Sequence, residues 1–158
     1  NFRSIKDNLC LVLDFGKEYV RKKIKVLFFD GEALSLEGLR RGLHVMRKEW
    51  TMIFTSQFDQ AEQLVAALKI DVIVADISGR AAPGIKLLEQ AKKNLPGVIR
   101  IGLSAETNEN DLAKTIRFTH RFLAKPFAID DLKNIIERSI ILRNRLNNPA
   151  LETIVARV

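Results

Sequence analysis

The stretch "KVLFFDGEA", residues 25–33, joins an apolar run to an abrupt polar stop. Four consecutive apolar residues after Lys25 are typical of a strand that is buried on both faces of a parallel sheet. Asp30, Gly31 and Glu32 follow at the place where such a strand would hand over to a helix. The stretch therefore predicts a buried strand whose carboxyl end borders an anionic site, either working or degenerate.

The same unit of strand and helix recurs along the rest of the chain. Further apolar runs cover 51–55, 71–75, 98–103 and 121–124, and helical periodicity covers 33–46, 61–68, 85–95, 111–117 and about 129–146. Five such units with apolar, β-branched strands predict an α/β domain with helices on both faces of a sheet. We expect a doubly wound, five-stranded parallel sheet in the flavodoxin-like order 2-1-3-4-5.

The composition is that of a soluble globular domain. Hydrophobic residues make up 47% of the 158 residues, which is enough to bury a core. Cys10 is the only cysteine, so an intrachain disulfide and a Cys-rich zinc site are excluded. The apolar runs are far shorter than the roughly 20 residues that cross a bilayer. We expect a cytoplasmic protein with no membrane contact.

The basic charge is concentrated near the amino end. The chain carries a formal charge of +7, and residues 1–25 hold seven Lys or Arg against three acidic residues. The run "RKK" at 21–23 is of the kind that contacts phosphate, but a run this short is usually a solvated helix end. We therefore expect no nucleic-acid partner.

Polar side chains follow four of the five predicted strands. They are Asp30, Asp76, Ser104 and Lys125. Because ligands of an open parallel sheet bind outside the carboxyl ends of its strands, these four side chains should converge near the point where the strand order reverses. Two carboxylates suit Mg²⁺, and the cation and the lysine could neutralise a phosphoryl group on one carboxylate.

This pattern resembles a response-regulator receiver domain. That family has an acidic pair after the first strand, a phosphoacceptor Asp after the third, Ser or Thr after the fourth and Lys-Pro after the fifth. The matching text is "FFDGE", "DVIVAD", "IGLSA" and "RFLAKPF". The resemblance covers about residues 24–145, which leaves 1–23 as an N-terminal extension and 146–158 as a linker or the start of an output domain. The text that ends in "PAL" at 149–151 resembles receivers that precede an HDOD output domain.

The resemblance implies a role for each matching residue. Asp76 would accept a phosphoryl group from a histidine kinase or a phosphotransfer protein. Asp30, Asp76 and the backbone carbonyl of Ser78 would bind Mg²⁺, and the side chain of Ser78 would matter little.

The remaining matches belong to phosphoryl binding and switching. Lys125 would pair with the phosphoryl oxygens, Ser104 would move to hydrogen-bond them, and Phe122 would turn inward. The surface formed by the fourth helix, the fifth strand and the fifth helix would then favour a homodimer or an output contact.

Two departures from the family pattern bear on the function. Gly31 replaces the second acid of the pair, which weakens Mg²⁺ binding unless Glu32 reaches the site, and Arg80 stands where the family commonly has Pro. We predict a signal receiver with at most phosphotransfer and autodephosphorylation activity, and not an enzyme in the usual sense. The alternative is a pseudo-receiver that acts as a phosphorylation-independent dimerisation or docking module. A phosphohydrolase of the haloacid-dehalogenase type is disfavoured because its general acid, two residues after Asp30, would be Glu32.

Overall fold

The computed structural model describes residues 22–79, 82–105, 113 and 117–147. The expectations for residues 1–21, for Arg80, for most of the 111–117 helix and for the tail from residue 148 lie outside these ranges. The strands are β1 Ile24–Phe29, β2 Trp50–Thr55, β3 Val72–Asp76, β4 Ile99–Ser104 and β5 Arg121–Ala124. The helices are α1 Ala33–Gly42, α2 Phe58–Ala67, α3 Pro83–Asn94 and α4 Ile129–Leu146, with a 3₁₀ helix at His44–Lys48.

The five strands form one parallel sheet in the order β2-β1-β3-β4-β5. This confirms the predicted flavodoxin-like, doubly wound fold. The register pairs Phe29 with Ala75, so the residues that follow β1 and end β3 emerge side by side. The reversal of strand order lies between these two strands, which places Asp30 and Asp76 at the same edge of the sheet.

Each face of the sheet has its own hydrophobic core. Side chains alternate between faces along a strand, so Val26 and Phe28 pack on one side while Leu27 and Phe29 pack on the other. Helices α1 and α4 cover the first face and α2 and α3 cover the second. Because both faces are covered, the strands are almost uniformly apolar, as the sequence pattern predicted. Among the described helices, none is both long and apolar enough to span a membrane.

The first helix is shorter than its periodicity predicted. We expected a helix over 33–46, but α1 ends at Gly42 and the chain continues as a 3₁₀ helix. Glycine is a poor helix former, and a Cβ at position 42 would lie 2.6 Å from the side chain of Ile129 at the start of α4. Met46 in the 3₁₀ helix is still buried, so the last apolar residue of the predicted stripe packs in the core although the helix type has changed.

His120, immediately before β5, makes the stability sensitive to mild acid. Its Nδ1 accepts the backbone N–H of Arg100 at 3.0 Å, which requires an unprotonated nitrogen. Partial burial and the charges of Arg100, Arg121 and Lys92 lower the pKa of His120 below its ordinary value. The folded state therefore disfavours protonation, and this contribution to stability is present above about pH 6.5 and is lost as the pH falls below it.

We expect the free energy of unfolding to fall as the pH drops below about 6.5 toward the lowered pKa of His120, and the variant His120→Asn to show a shallower fall. Urea unfolding at several pH values measures both slopes. Equal slopes in the wild type and in His120→Asn would contradict the assignment.

Candidate functional site

The candidate site lies at the carboxyl edge of the sheet, where β1, β3, β4 and β5 end. Asp30 follows β1 and is 1% exposed, whereas Asp76 at the end of β3 is half-buried. Ser104 ends β4 and is buried, and Lys125 follows β5, half-buried, ahead of a cis peptide bond to Pro126. The parallel strands thus bring residues almost a hundred positions apart to one edge.

Lys125 bridges the two carboxylates. Its Nζ lies 3.1 Å from Asp30 Oδ2 and 3.1 Å from Asp76 Oδ1. Burial alone would lower the pKa of Lys125, but hydrogen bonds and attraction from Asp30 and Asp76 outweigh it and raise the pKa above its ordinary value. Lys125 is therefore protonated at neutral pH, and the stability that its charge contributes is lost as the pH rises above about 10.4, through the raised value.

Asp30 is held in place from both sides. Its backbone N–H donates to the carbonyl of Thr55 on the neighbouring strand, and its Oδ1 accepts the N–H of Glu32 at 2.9 Å. The Glu32 carboxylate lies in its own turn, where Oε2 accepts the hydroxyl of Ser35 at 3.3 Å. Glu32 is exposed and does not join Asp30 and Asp76 in this structure.

Asp76 is contacted by a residue whose side chain the sequence analysis dismissed. Ser78 Oγ donates to Asp76 Oδ1 at 2.7 Å, and the Ser78 backbone N–H approaches the same oxygen at 3.4 Å. The same hydroxyl accepts the N–H of Ala105 at 3.1 Å. The resemblance assigned only the carbonyl of Ser78 to the site, but the structure shows that its hydroxyl contacts both Asp76 and Ala105. A Ser two residues after a buried strand end is a common turn residue, so its pattern alone carried no signal.

Ser104 and Phe122 lie on the same face of the sheet on adjacent strands. Ser104 pairs with Ala124, and Gly102 pairs with Phe122. Residues two apart along a strand share a face, which places the ring of Phe122 on the Ser104 side, where it packs against the core under α2 and α3. The carbonyl of Ser104 accepts the backbone N–H of Lys125 at 2.8 Å and so positions the bridging lysine.

The metal donors at the site are fewer than the family pattern provides. Among the described residues, no group of three or more His, Cys, Asp or Glu side chains could hold a metal ion. The two carboxylates of Asp30 and Asp76 are nonetheless the donor type and number that fit Mg²⁺, which usually binds through one or two carboxylates and keeps several waters. Gly31 is exposed, and a Cβ there would meet nothing within 4 Å. Lack of space therefore does not explain why position 31 has no acidic side chain.

A hollow of about 470 Å³ opens beside Asp30 and Lys125. Leu39 of α1 and Phe127 ahead of α4 also line it, whereas Asp76 does not.

Comparison with solved structures finds the same fold in receiver domains. The signal receiver domain of an HD domain-containing protein from Pseudomonas fluorescens is 22% identical with a TM-score of 0.69, covering 78% of this chain and 99% of its own. A CheY-like response regulator receiver domain protein from Methanospirillum hungatei is 16% identical with a TM-score of 0.71, covering 80% and 100%. The receiver domain of a Francisella response regulator is 25% identical with a TM-score of 0.64, covering 79% and 100%.

Similarities below 25% identity show the fold alone, and no curated protein matches the chain. A family model supplies the stronger result, since the model described as the response regulator receiver domain matches residues 26–137. That match runs from within β1 to the middle of α4 and includes all four polar strand ends. The chain therefore belongs to the response regulator receiver domain family.

Proposed function

We propose that the chain is the signal receiver of a two-component phosphorelay and accepts a phosphoryl group on Asp76 from a histidine kinase or a phosphotransfer protein. The observation that carries the proposal is the bridge from Lys125 to both Asp30 and Asp76. An ammonium that two carboxylates hold at an open sheet edge is suited to pair with phosphoryl oxygens. Its positive charge is already in place, so no further charged group has to move into the site.

The transfer forms one bond to the protein and breaks one bond in the donor. An oxygen of Asp76 forms a bond to phosphorus as the N–P bond of the donor's phosphohistidine breaks, and the departing imidazole takes a proton from solvent. Lys125 would stay close to the transferred group, because its partner Asp76 Oδ1 belongs to the same carboxylate. Catalysis is then mainly positioning and charge stabilisation.

Mg²⁺, held by Asp30, Asp76 and the Ser78 carbonyl, would supply positive charge to the phosphoryl oxygens. Asp30 is buried, its Oδ1 accepts the Glu32 N–H and its Oδ2 is paired with Lys125, so Mg²⁺ would have to share Asp30 with these two partners. With Gly31 in place of an acid, the affinity should be weak.

Phosphorylation would be read out through Ser104 and Phe122. The two residues share a sheet face on neighbouring strands, so a movement of one changes the space available to the other. The readout would favour a homodimer or a contact with an output domain. We propose residues 24–145 as the receiver, 1–23 as an extension and 146–158 as a linker or the start of that output domain, in a cytoplasmic protein.

The identity of the output domain rests on resemblance. The text that includes "PAL" at 149–151 resembles receivers that precede an HDOD domain. The relative from Pseudomonas fluorescens is described as part of an HD domain-containing protein, which is in keeping with this proposal.

The second candidate function is a pseudo-receiver that docks or dimerises without phosphorylation. Gly31 and the lack of a three-acid group among the described residues favour it. The Lys125 bridge argues against this function. Burying Asp30 beside a second carboxylate is costly, and a chain without phosphoryl chemistry would gain nothing from that cost.

Incubation with acetyl phosphate and millimolar Mg²⁺ tests the proposal. We expect mass spectrometry to show one added phosphoryl group on the wild type and none on Asp76→Asn, because the amide cannot form the acyl phosphate. Asp71→Asn, which changes a carboxylate at the opposite end of β3, should still be modified. An unmodified wild type at millimolar Mg²⁺ would favour the pseudo-receiver.

A further inference from the structure

Ser78 links two parts of the site that are distant in sequence. Its hydroxyl donates to Asp76 Oδ1 at 2.7 Å and accepts the backbone N–H of Ala105 at 3.1 Å. Asp76 ends β3, and Ala105 directly follows Ser104 at the end of β4. One hydroxyl therefore joins the proposed phosphoacceptor to the segment that adjoins the proposed switch residue.

We propose that the Ser78 hydroxyl is a latch that stabilises the unmodified state of Asp76 by occupying the amide of Ala105. The proposal rests on the proposed function, because it concerns the balance between the free and the phosphorylated carboxylate. Ser78 is a positioning residue in this scheme, since it acts through Ala105 and Asp76 and not on the phosphoryl donor.

Modification of Asp76 weakens both halves of the bridge. Only the Ser78 hydroxyl separates the Ala105 N–H from Asp76 Oδ1, so the oxygens of a phosphoryl group on Asp76 would extend toward that N–H. A charged acceptor competes well with a neutral hydroxyl. The carboxylate also loses its negative charge when it becomes an acyl phosphate, so Oδ1 becomes a weaker acceptor for Ser78. Both changes make the bridge stronger in the unmodified state than in the modified one.

Removal of the hydroxyl should therefore shift the balance toward the modified state. A group that stabilises one of two states biases the equilibrium by its difference in free energy between them. The net worth of one hydrogen bond corresponds to about fivefold in an equilibrium constant. Lys125 and the Ser78 backbone still contact Asp76 in Ser78→Ala, so the substitution removes only the bridge.

Hydrogen exchange and binding of beryllofluoride, a phosphoryl mimic, test the latch. In the unmodified protein, we expect the Ala105 amide to exchange several-fold faster in Ser78→Ala than in the wild type, and at the wild-type rate in Ser78→Thr. With Mg²⁺ present, Ser78→Ala should bind beryllofluoride about fivefold more tightly, and Ser78→Thr should not. Ser139→Ala is the matched control, because it removes a buried hydroxyl that donates to Ile135 within α4.

Unchanged exchange of Ala105 in Ser78→Ala overturns the latch, and so does equal or weaker binding of beryllofluoride by that variant. A wild type that binds no beryllofluoride overturns the proposed function. The two failures can be told apart, because the exchange of Ala105 measures the Ser78 bridge in the unmodified protein and does not depend on beryllofluoride binding.

Discussion

Replacing Gly31 by Asp is expected to strengthen Mg²⁺ binding tenfold or more. The substitution adds a third carboxylate beside Asp30, and a carboxylate close to a divalent cation contributes at least one to a few kcal/mol at an effective dielectric constant near 20. Each 1.4 kcal/mol is a factor of ten in affinity. A Cβ at position 31 meets nothing within 4 Å, so the new side chain enters without displacing its neighbours.

Isothermal titration calorimetry with Mg²⁺ measures this effect directly. Gly31→Asn is the matched control, because it has the same shape without the charge and should leave the affinity within a few-fold of the wild type. Thermal unfolding gives a second reading: Mg²⁺ should raise the Tm of Gly31→Asp more than that of the wild type. Equal affinities for Gly31→Asp and Gly31→Asn would show that the missing charge does not limit metal binding.

Replacing Gly84 by Ala is expected to destabilise the fold and disturb the site together. A Cβ on Gly84 would overlap the carbonyl oxygen of Asp76 and lie 3.3 Å from the Cβ of Ala75. Neither neighbour is the end of a flexible side chain, so α3 or the end of β3 must move. Overpacking of this kind costs about 1–3 kcal/mol or more. Because the displaced peptide carries the Asp76 side chain, we also expect slower phosphorylation by acetyl phosphate.

Gly38→Ala provides the opposite expectation in the same experiment. Gly38 lies exposed within α1, and a Cβ there meets nothing within 4 Å. Glycine in a helix interior is about 0.5–1 kcal/mol less favourable than alanine, so this variant should gain stability. Urea unfolding of both variants measures the contrast. A Gly84→Ala variant as stable as the wild type would show that β3 and α3 separate more readily than their packing indicates.

The two glycines illustrate what cannot be predicted from local sequence. Gly38 lies inside the predicted 33–46 helix and Gly84 lies just before the predicted 85–95 helix, but neither position shows in the sequence what a Cβ there would meet. The difference arises because the start of α3 packs on the backbone of β3, whereas Gly38 faces solvent. The surroundings of Gly42 likewise depend on a distant residue, since a Cβ there would meet the side chain of Ile129 far along the chain.

The sequence by itself determined the fold class, the strand order and the convergence of Asp30, Asp76, Ser104 and Lys125. Apolar runs, helical periodicity and the polar residue after each run are local signals, and right-handed parallel crossovers leave few ways to arrange them. Only the tertiary structure decided that Lys125 bridges both carboxylates and that Ser78 reaches Ala105. Those contacts depend on distances between loops from different strands, and such distances exist only once the sheet has assembled.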